Sequence, residues 1–161
     1  MGWLRGLAIG CVLAVSAAAS AAAQVPMEDT GAKLSIDAAR AACKKARGLR
    51  LVVEPEAVRS IDLTGDGRAD AIVDWTHLIC ERRPEIFCGT GGCPLAIVVA
   101  QPNGKFREVF RQQVLRYEIE PGEGARTIRF DLHGVYCGKT GPEPCSRRRQ
   151  IGAKPFKFRE P

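Results

Sequence analysis

The sequence predicts an α+β domain in which one N-terminal helix packs on a mostly antiparallel meander sheet that is stabilised by disulfide bonds. One amphipathic segment near the N-terminus has helical periodicity, and the later segments are short, rich in β-branched residues and separated by Gly/Pro turns. Such short turns favour antiparallel neighbours. Six cysteines follow residue 23, and an even number of cysteines suits a disulfide framework.

The first 23 residues have the pattern of a cleaved secretory signal peptide. Arg5 supplies positive charge, residues 7–15 form an apolar run, and small residues lead to Ala23 before Gln24. The apolar run is too short for a good membrane span, so no transmembrane segment is expected in the mature chain. We therefore predict a single domain over residues 24–161 that is periplasmic or secreted. Its 138 residues are enough to bury one core.

The first predicted element is a helix that Ser35 caps and that runs to about Arg47, with Gly48 as its stop. Small and apolar residues share one of its faces, at Ile36, Ala39, Cys43 and Ala46. Lysine and arginine occupy the opposite face, so the helix is expected to pack on a sheet with Cys43 pointing inward.

Six to eight strands are predicted after the helix. The main ones are residues 49–53, 58–62, 69–75, 95–100, 105–110, 114–120 and 126–133. Residues 78–92 are predicted to form a long cysteine-bearing loop, and Pro102-Asn103-Gly104 a hairpin turn. A final hairpin is predicted between residues 147–151 and 156–158, about Gly152-Ala153-Lys154.

The six cysteines of the domain allow fifteen pairings. Cys137 and Cys145 are the first pair we expect, because they flank a Gly/Pro-rich loop. Two arrangements remain for the other four cysteines. Cys80 with Cys88 leaves Cys43 for Cys93, and Cys88 with Cys93 leaves Cys43 for Cys80.

The most chemically specific stretch is the loop from Asp62 to Asp70. Side-chain oxygens occur at loop positions 1, 3, 5 and 9, a glycine stands at position 6, and one backbone carbonyl completes a set of ligands that calcium accepts. The predicted calcium ligands are Asp62, Thr64, Asp66, Asp70 and the carbonyl of Arg68. A plain strand-to-strand turn is the alternative, since aspartates accept backbone N–H groups and glycines supply positive φ in such turns.

This loop, followed by a strand over residues 71–75, resembles the calcium loops of FG-GAP and VCBS-type repeats, with the pattern D-x-[ND]-x-D-G-x-x-D. Here the loop occurs once and Thr64 replaces the usual Asn or Asp, so the resemblance implies a structural calcium ion and not a propeller. Together with the stretch from Cys88 to Cys93, it also resembles small exported bacterial proteins of no assigned function.

Other candidate sites carry less specific patterns. Asp74 precedes His77 and Asp131 precedes His133, but the sequence lacks a nucleophile motif such as G-x-S-x-G. Residues 89–92 could form a backbone nest for an anion. The C-terminus is basic, and strand alternation predicts about half of its cations on one face beside two phenylalanines.

The net charge of the domain without its leader is about +5, which favours acidic partners such as anionic envelope polymers, lipid head groups or acidic proteins. Nucleic acid is disfavoured as the partner of an exported protein. We predict a monomeric, non-catalytic binding or interaction module with an envelope polymer or protein as its partner and calcium as a structural ion. The alternatives are an inhibitor or accessory protein of an envelope enzyme, and a hydrolase that depends on His77 or His133.

Overall fold

The computed structural model describes residues 31–139 and 143–159, so the predicted leader lies outside the described residues. The elements in chain order are α1 (Ala32–Lys45), β1 (Leu51–Val53), β2 (Val58–Ile61), β3 (Asp70–Asp74), β4 (Leu78–Cys80), β5 (Cys93–Ala100), β6 (Phe106–Val114), β7 (Arg116–Ile119), β8 (Thr127–Leu132) and β9 (Cys145–Gln150). Every strand pair among them is antiparallel, which confirms the predicted α+β class. The described part of the chain contains no helix with the length and apolar character needed to span a bilayer.

The strands form three sheets, with strand orders β1-β4, β2-β3-β5-β6 and β7-β8-β9. The four-stranded sheet is the middle layer, because successive side chains of β3 and β5 point to opposite faces and both sets are buried. One face, with Ala71, Val73, Ala96 and Val98, packs against α1 and the small sheet. The other face, with Ile72, Leu95, Ile97 and Val99, packs against the three-stranded sheet.

The helix begins at Ala32, three residues before the predicted start, and Ser35 is not its cap. Ser35 is buried inside the first turn, where its hydroxyl accepts a hydrogen bond from the indole N–H of Trp75 at 2.8 Å. The hydroxyl therefore satisfies a buried indole and joins the helix to the middle sheet. The predicted inward direction of Cys43 is confirmed, since that residue is buried.

The disulfide pairs are Cys43–Cys80, Cys88–Cys93 and Cys137–Cys145. The predicted pairing of Cys137 with Cys145 is confirmed, and one of the two open arrangements is selected for the others. The bond to Cys80 links α1 to β4 across 37 residues of sequence. Gly48 passes this bond so closely that an added Cβ would lie 2.1 Å from the Cys80 sulfur, which explains why glycine follows the helix.

Two strand predictions were wrong. Residues 78–80 form β4, which pairs with β1, where a loop was predicted. The final hairpin does not form, because β9 pairs with β8 and residues 152–159 form no strand. The segment instead runs beside β6, where the N–H of Phe156 donates to the Val109 carbonyl at 2.8 Å. The alternating phenylalanines and cations of this segment are compatible with pairing to β9 or to β6. The segment lies beside β6 because its phenyl rings are packed against the core there.

Candidate functional site

The loop between β2 and β3 is closed by its own aspartates. The Asp62 carboxylate accepts hydrogen bonds from the backbone N–H groups of Gly65 at 2.7 Å, Asp66 at 3.2 Å and Gly67 at 2.8 Å. Both glycines have positive φ, +73° and +81°, which brings their N–H groups around the carboxylate. These N–H groups, that of Gly67 above all, lower the pKa of Asp62.

Asp70 braces the same loop from inside the protein. Its side chain is almost fully buried, and its carboxylate accepts the backbone N–H groups of Leu63 at 2.9 Å, Thr64 at 3.1 Å and Ala100 at 2.8 Å. Burial raises the pKa of Asp70, since an ionised carboxylate loses its hydration there. The residue therefore ties the start of the loop to the end of β5.

Two of the other predicted ligands, Asp66 and Arg68, contact each other. The Asp66 carboxylate accepts the Arg68 backbone N–H at 2.9 Å and also pairs with the Arg68 guanidinium. Thr64 Oγ1 is buried and has no hydrogen-bond partner among the described residues. The carboxylates of Asp62 and Asp70 each accept three backbone N–H groups and so already stabilise the loop. The loop thus has calcium-type donors, and calcium binding stays a prediction.

A second group of metal-type ligands was not anticipated from the sequence. One ligand atom each of Glu54, Glu56 and His77 lies within 4.8 Å of the others, and within the described ranges the loop aspartates do not form such a group. His77 Nδ1 is 3.1 Å from Glu54 Oε2, and both side chains are partly exposed. Glu54 directly precedes one short 3-10 turn, and His77 ends another. The Glu54 N–H donates to the His77 carbonyl at 3.1 Å and so holds the two turns side by side. Nothing in sequence spacing indicates a contact between residues so far apart.

The histidines have no aspartate partner of the kind suggested by their neighbours in sequence. Asp74 accepts the Thr76 N–H at 2.9 Å, and Asp131 accepts the Ser146 hydroxyl at 2.6 Å. His133 Nδ1 accepts the N–H of Val135 at 3.5 Å and so caps a 3-10 turn. In the portion of the chain that is described, neither Asp–His pair forms a hydrogen bond.

The glycine-rich stretch of residues 89–92 forms a small bridged loop. The N–H groups of Gly89 and Gly92 donate to each other's carbonyls at 2.9 and 3.0 Å, and the Cys88–Cys93 bond closes the ends. Gly92 has φ +93°, and an added Cβ would lie 1.9 Å from the Val114 carbonyl oxygen. These two N–H groups are therefore used within the loop and do not point to an anion.

The basic residues near the C-terminus lie on β9 and on residues 152–159, which follow it. Residues 145–159 contain six Lys or Arg and no Asp or Glu. Arg148 lies on the other side of β9, where it pairs with Glu120 at 2.6 Å. The other five define the C-terminal basic surface, namely Arg147, Arg149, Lys154, Lys157 and Arg159. None of these five has a carboxylate oxygen within 4.0 Å among residues 31–139 and 143–159.

A cluster of aromatic rings anchors this surface. Phe156 stacks on Phe110 with ring centres 4.8 Å apart, and Phe158 lies 5.2 Å from Phe130. The Gln112 side-chain amide both accepts the Phe158 N–H at 2.9 Å and donates to the Phe158 carbonyl at 3.1 Å. With the phenylalanines directed inward, the side chains of residues 157 and 159 are exposed.

A cavity of about 390 Å³ opens on the same surface, lined by Arg149, Gln150, Gly152, Ala153, Lys154 and Phe156. The Arg149 guanidinium lies over the Phe156 ring, 5.2 Å from its centre, which holds the cation in place. Two cations at one concave site can contact a phosphate or carboxylate together.

Comparison of the chain with family models, with curated proteins and with solved structures gives no match. The fold and the cysteine pairs define the class of protein as an α+β domain with three disulfide bonds.

Proposed function

We propose that this chain is an exported, non-catalytic binding module whose C-terminal basic surface binds an anionic polymer of the cell envelope. One observation carries the proposal: five cations without a carboxylate partner among the described residues lie on β9 and on the anchored segment that follows it. On the outer face of the three-stranded sheet, by contrast, the arginines have carboxylate partners: Arg129 pairs with Glu118, and Arg148 pairs with Glu120.

The arrangement favours a ligand with repeated charges over a single anion. In an extended segment, side chains two residues apart lie about 7 Å from each other on one face. Lys157 and Arg159 have this spacing, and Arg149 with Lys154 adds a concave site beside them. Guanidinium and ammonium groups suit phosphate and carboxylate groups, so a polymer carrying either is the expected ligand.

Other features support the proposed location and assembly. Three disulfides persist best in an oxidising compartment, which supports export to the periplasm or medium. In this proposal the protein acts as a monomer, and the loop from Asp62 to Asp70 has a structural role with calcium as its ion.

The proposal is tested by binding of the oxidised protein to long-chain polyphosphate at rising salt. Lys154→Gln with Lys157→Gln removes two charges from the C-terminal basic surface. Each lost contact at about 4 Å in water is worth ~1 kcal/mol, so affinity at low salt should fall roughly tenfold or more. Lys44→Gln with Lys45→Gln removes the same charge from exposed positions at the end of α1 and should leave affinity near wild type.

Equal loss of affinity in the two double variants would show that net charge alone attracts the polymer, and the proposal would fail. A pull-down from envelope extract separates the polymer from the alternative of one protein partner. Recovery of a single acidic protein, with no retention by polyphosphate, would favour the accessory-protein alternative.

A further inference from the structure

A second concave site lies away from the C-terminal basic surface. It is a cleft of about 480 Å³, lined by Arg59 of β2, by Asp74 at the end of β3, and by residues 115–119 along β7. The two sheets that contribute to it are the four-stranded and the three-stranded sheet.

The cleft runs along a strand edge and not across a sheet face. A cavity over one face of a strand contacts alternate residues, because successive side chains point to opposite sides. Here five consecutive residues line the cleft, so it follows the edge of β7 for its full length. The four residues of β7 extend about 13 Å at ~3.3 Å per residue, which suits an extended chain better than a compact ligand.

Both strands that border the cleft are at the end of their sheets. β2 pairs only with β3, and β7 pairs only with β8, in the part of the chain that the structure describes. The outer edge of each strand therefore presents backbone N–H and C=O groups with no strand to receive them. Regularly spaced donors and acceptors of this kind are complementary to another peptide backbone.

The charges of the cleft favour an acidic partner. Arg59 and Arg116 are exposed and have no carboxylate oxygen within 4.0 Å among the described residues. Of the two carboxylates on the lining, Glu118 pairs with Arg129 at 2.6 Å, and Asp74 accepts the Thr76 N–H and keeps its charge, so that with Arg129 three arginines face two carboxylates. The cleft thus keeps an excess of positive charge for a ligand.

Apolar surface is also available beside these arginines. Leu115 is 41% exposed and lies between β6 and β7. The half-buried ring of Tyr117 and the side chain of Ile119 continue the apolar lining along β7. An added strand could therefore bury apolar side chains on one face and place acidic side chains near the arginines.

From the free strand edges and the unpaired arginines, we propose that an extended acidic segment of a partner protein adds to β7 in this cleft as a fourth strand of the three-stranded sheet. Its backbone pairs with the edge of β7, one acidic side chain lies opposite Arg116, and alternate apolar side chains cover Leu115. A second copy of this chain is disfavoured, because the chain is basic and brings the same unpaired arginines to the cleft. The proposal is independent of polymer binding at the C-terminal basic surface.

The test is an NMR titration of the oxidised, ¹⁵N-labelled protein with three blocked heptapeptides. The first alternates Val and Glu, the second alternates Val and Lys, and the third is the Val/Glu peptide with a central Pro that cannot join a sheet. We expect the Val/Glu peptide to shift the amide signals of residues 58–60 and 115–119 and to slow hydrogen exchange along β7. The Lys and Pro peptides should bind at least about tenfold more weakly.

The matched variants are Arg116→Glu in the cleft and Arg107→Glu on β6, an exposed arginine far along the other sheet. Arg116→Glu should reverse the preference between the Glu and Lys peptides, and Arg107→Glu should not change it. Three results would overturn the proposal: no shift along β7, equal binding of all three peptides, or signals of residues 115–119 that move with protein concentration alone. The last result would identify a second copy as the occupant.

Discussion

At the scale of single residues, Asp70 and Asp66 occupy the same loop and have different roles. Asp70 is buried and accepts three backbone N–H groups, whereas Asp66 is exposed and pairs mainly with its neighbour Arg68. Replacing a buried acceptor leaves its donors without partners, while removing an exposed ion pair changes stability little. The two positions therefore make a matched pair for measuring what closes the loop.

We expect Asp70→Ala to lower the free energy of unfolding by about 2–4 kcal/mol, because one buried and two part-buried N–H groups lose their acceptor. Asp66→Ala should lower it by less than about 1 kcal/mol. Urea denaturation of the oxidised proteins in the presence of a chelator measures both changes without a contribution from calcium. Similar losses for both variants would show that Asp70 is not the main brace.

The sequence around Ser35 is compatible with two different roles for its hydroxyl group. A serine before a helical pattern is a good cap, and the same hydroxyl can satisfy a buried indole. The second role applies here, because Trp75 lies directly over the first turn of α1. That contact joins residues 40 positions apart, and the local pattern holds no sign of it.

At the scale of elements, the disulfides differ in what they connect. Cys43–Cys80 joins α1 to β4 and is buried, whereas Cys88–Cys93 closes a short surface loop beside β5. A disulfide restricts the unfolded chain more when the closed loop is longer. The first bond therefore constrains the fold, and the second mainly shapes its loop.

We expect loss of the first bond, in Cys43→Ala with Cys80→Ala, to cost about 4 kcal/mol, from a sequence separation of 37. Cys88→Ala with Cys93→Ala should cost about 2 kcal/mol, from a separation of 5. The measurement is the urea midpoint of each double variant. A larger loss for the short loop would mean that native contacts near Cys88, and not loop closure, determine the difference.

At the scale of the whole molecule, the loop from Asp62 to Asp70 connects two layers. The Arg126 N–H donates to the Leu63 carbonyl at 2.7 Å, and Gly65 lies so close to the turn between β7 and β8 that an added Cβ would be 2.5 Å from the Ala125 nitrogen. An ion bound in this loop would therefore stabilise the contact between the middle sheet and the three-stranded sheet.

The calcium prediction is tested by calorimetric titration into the oxidised protein. We expect a saturable heat with a Kd on the order of 10⁻⁴–10⁻³ M, as for extracellular calcium modules with few carboxylates. The heat should disappear in Asp66→Ala, which removes one predicted ligand. A wild-type protein without heat, and with the same Tm in millimolar calcium as in chelator, would leave the loop as a turn closed by its aspartates alone.

The charged surfaces of the molecule differ in whether their cations have carboxylate partners. Cations occur along much of the chain, but on the outer face of the three-stranded sheet Arg129 and Arg148 pair with glutamates. The C-terminal basic surface and the cleft beside β7 each bring cations without a carboxylate partner among the described residues to a concave site. These coincidences, and not the net charge, support the two binding proposals.

Local sequence patterns were sufficient for the α+β class, for α1 within a few residues, for most strands and for the Cys137–Cys145 bond, because each depends on neighbours within about one turn or loop. The pairing of β1 with β4, the position of residues 152–159 beside β6, the contact of Glu54 with His77 and the cleft along β7 were decided only by the tertiary structure. The physical reason is that these features depend on which surfaces are buried against each other. Burial is a property of distant segments packed together, which no local spacing encodes.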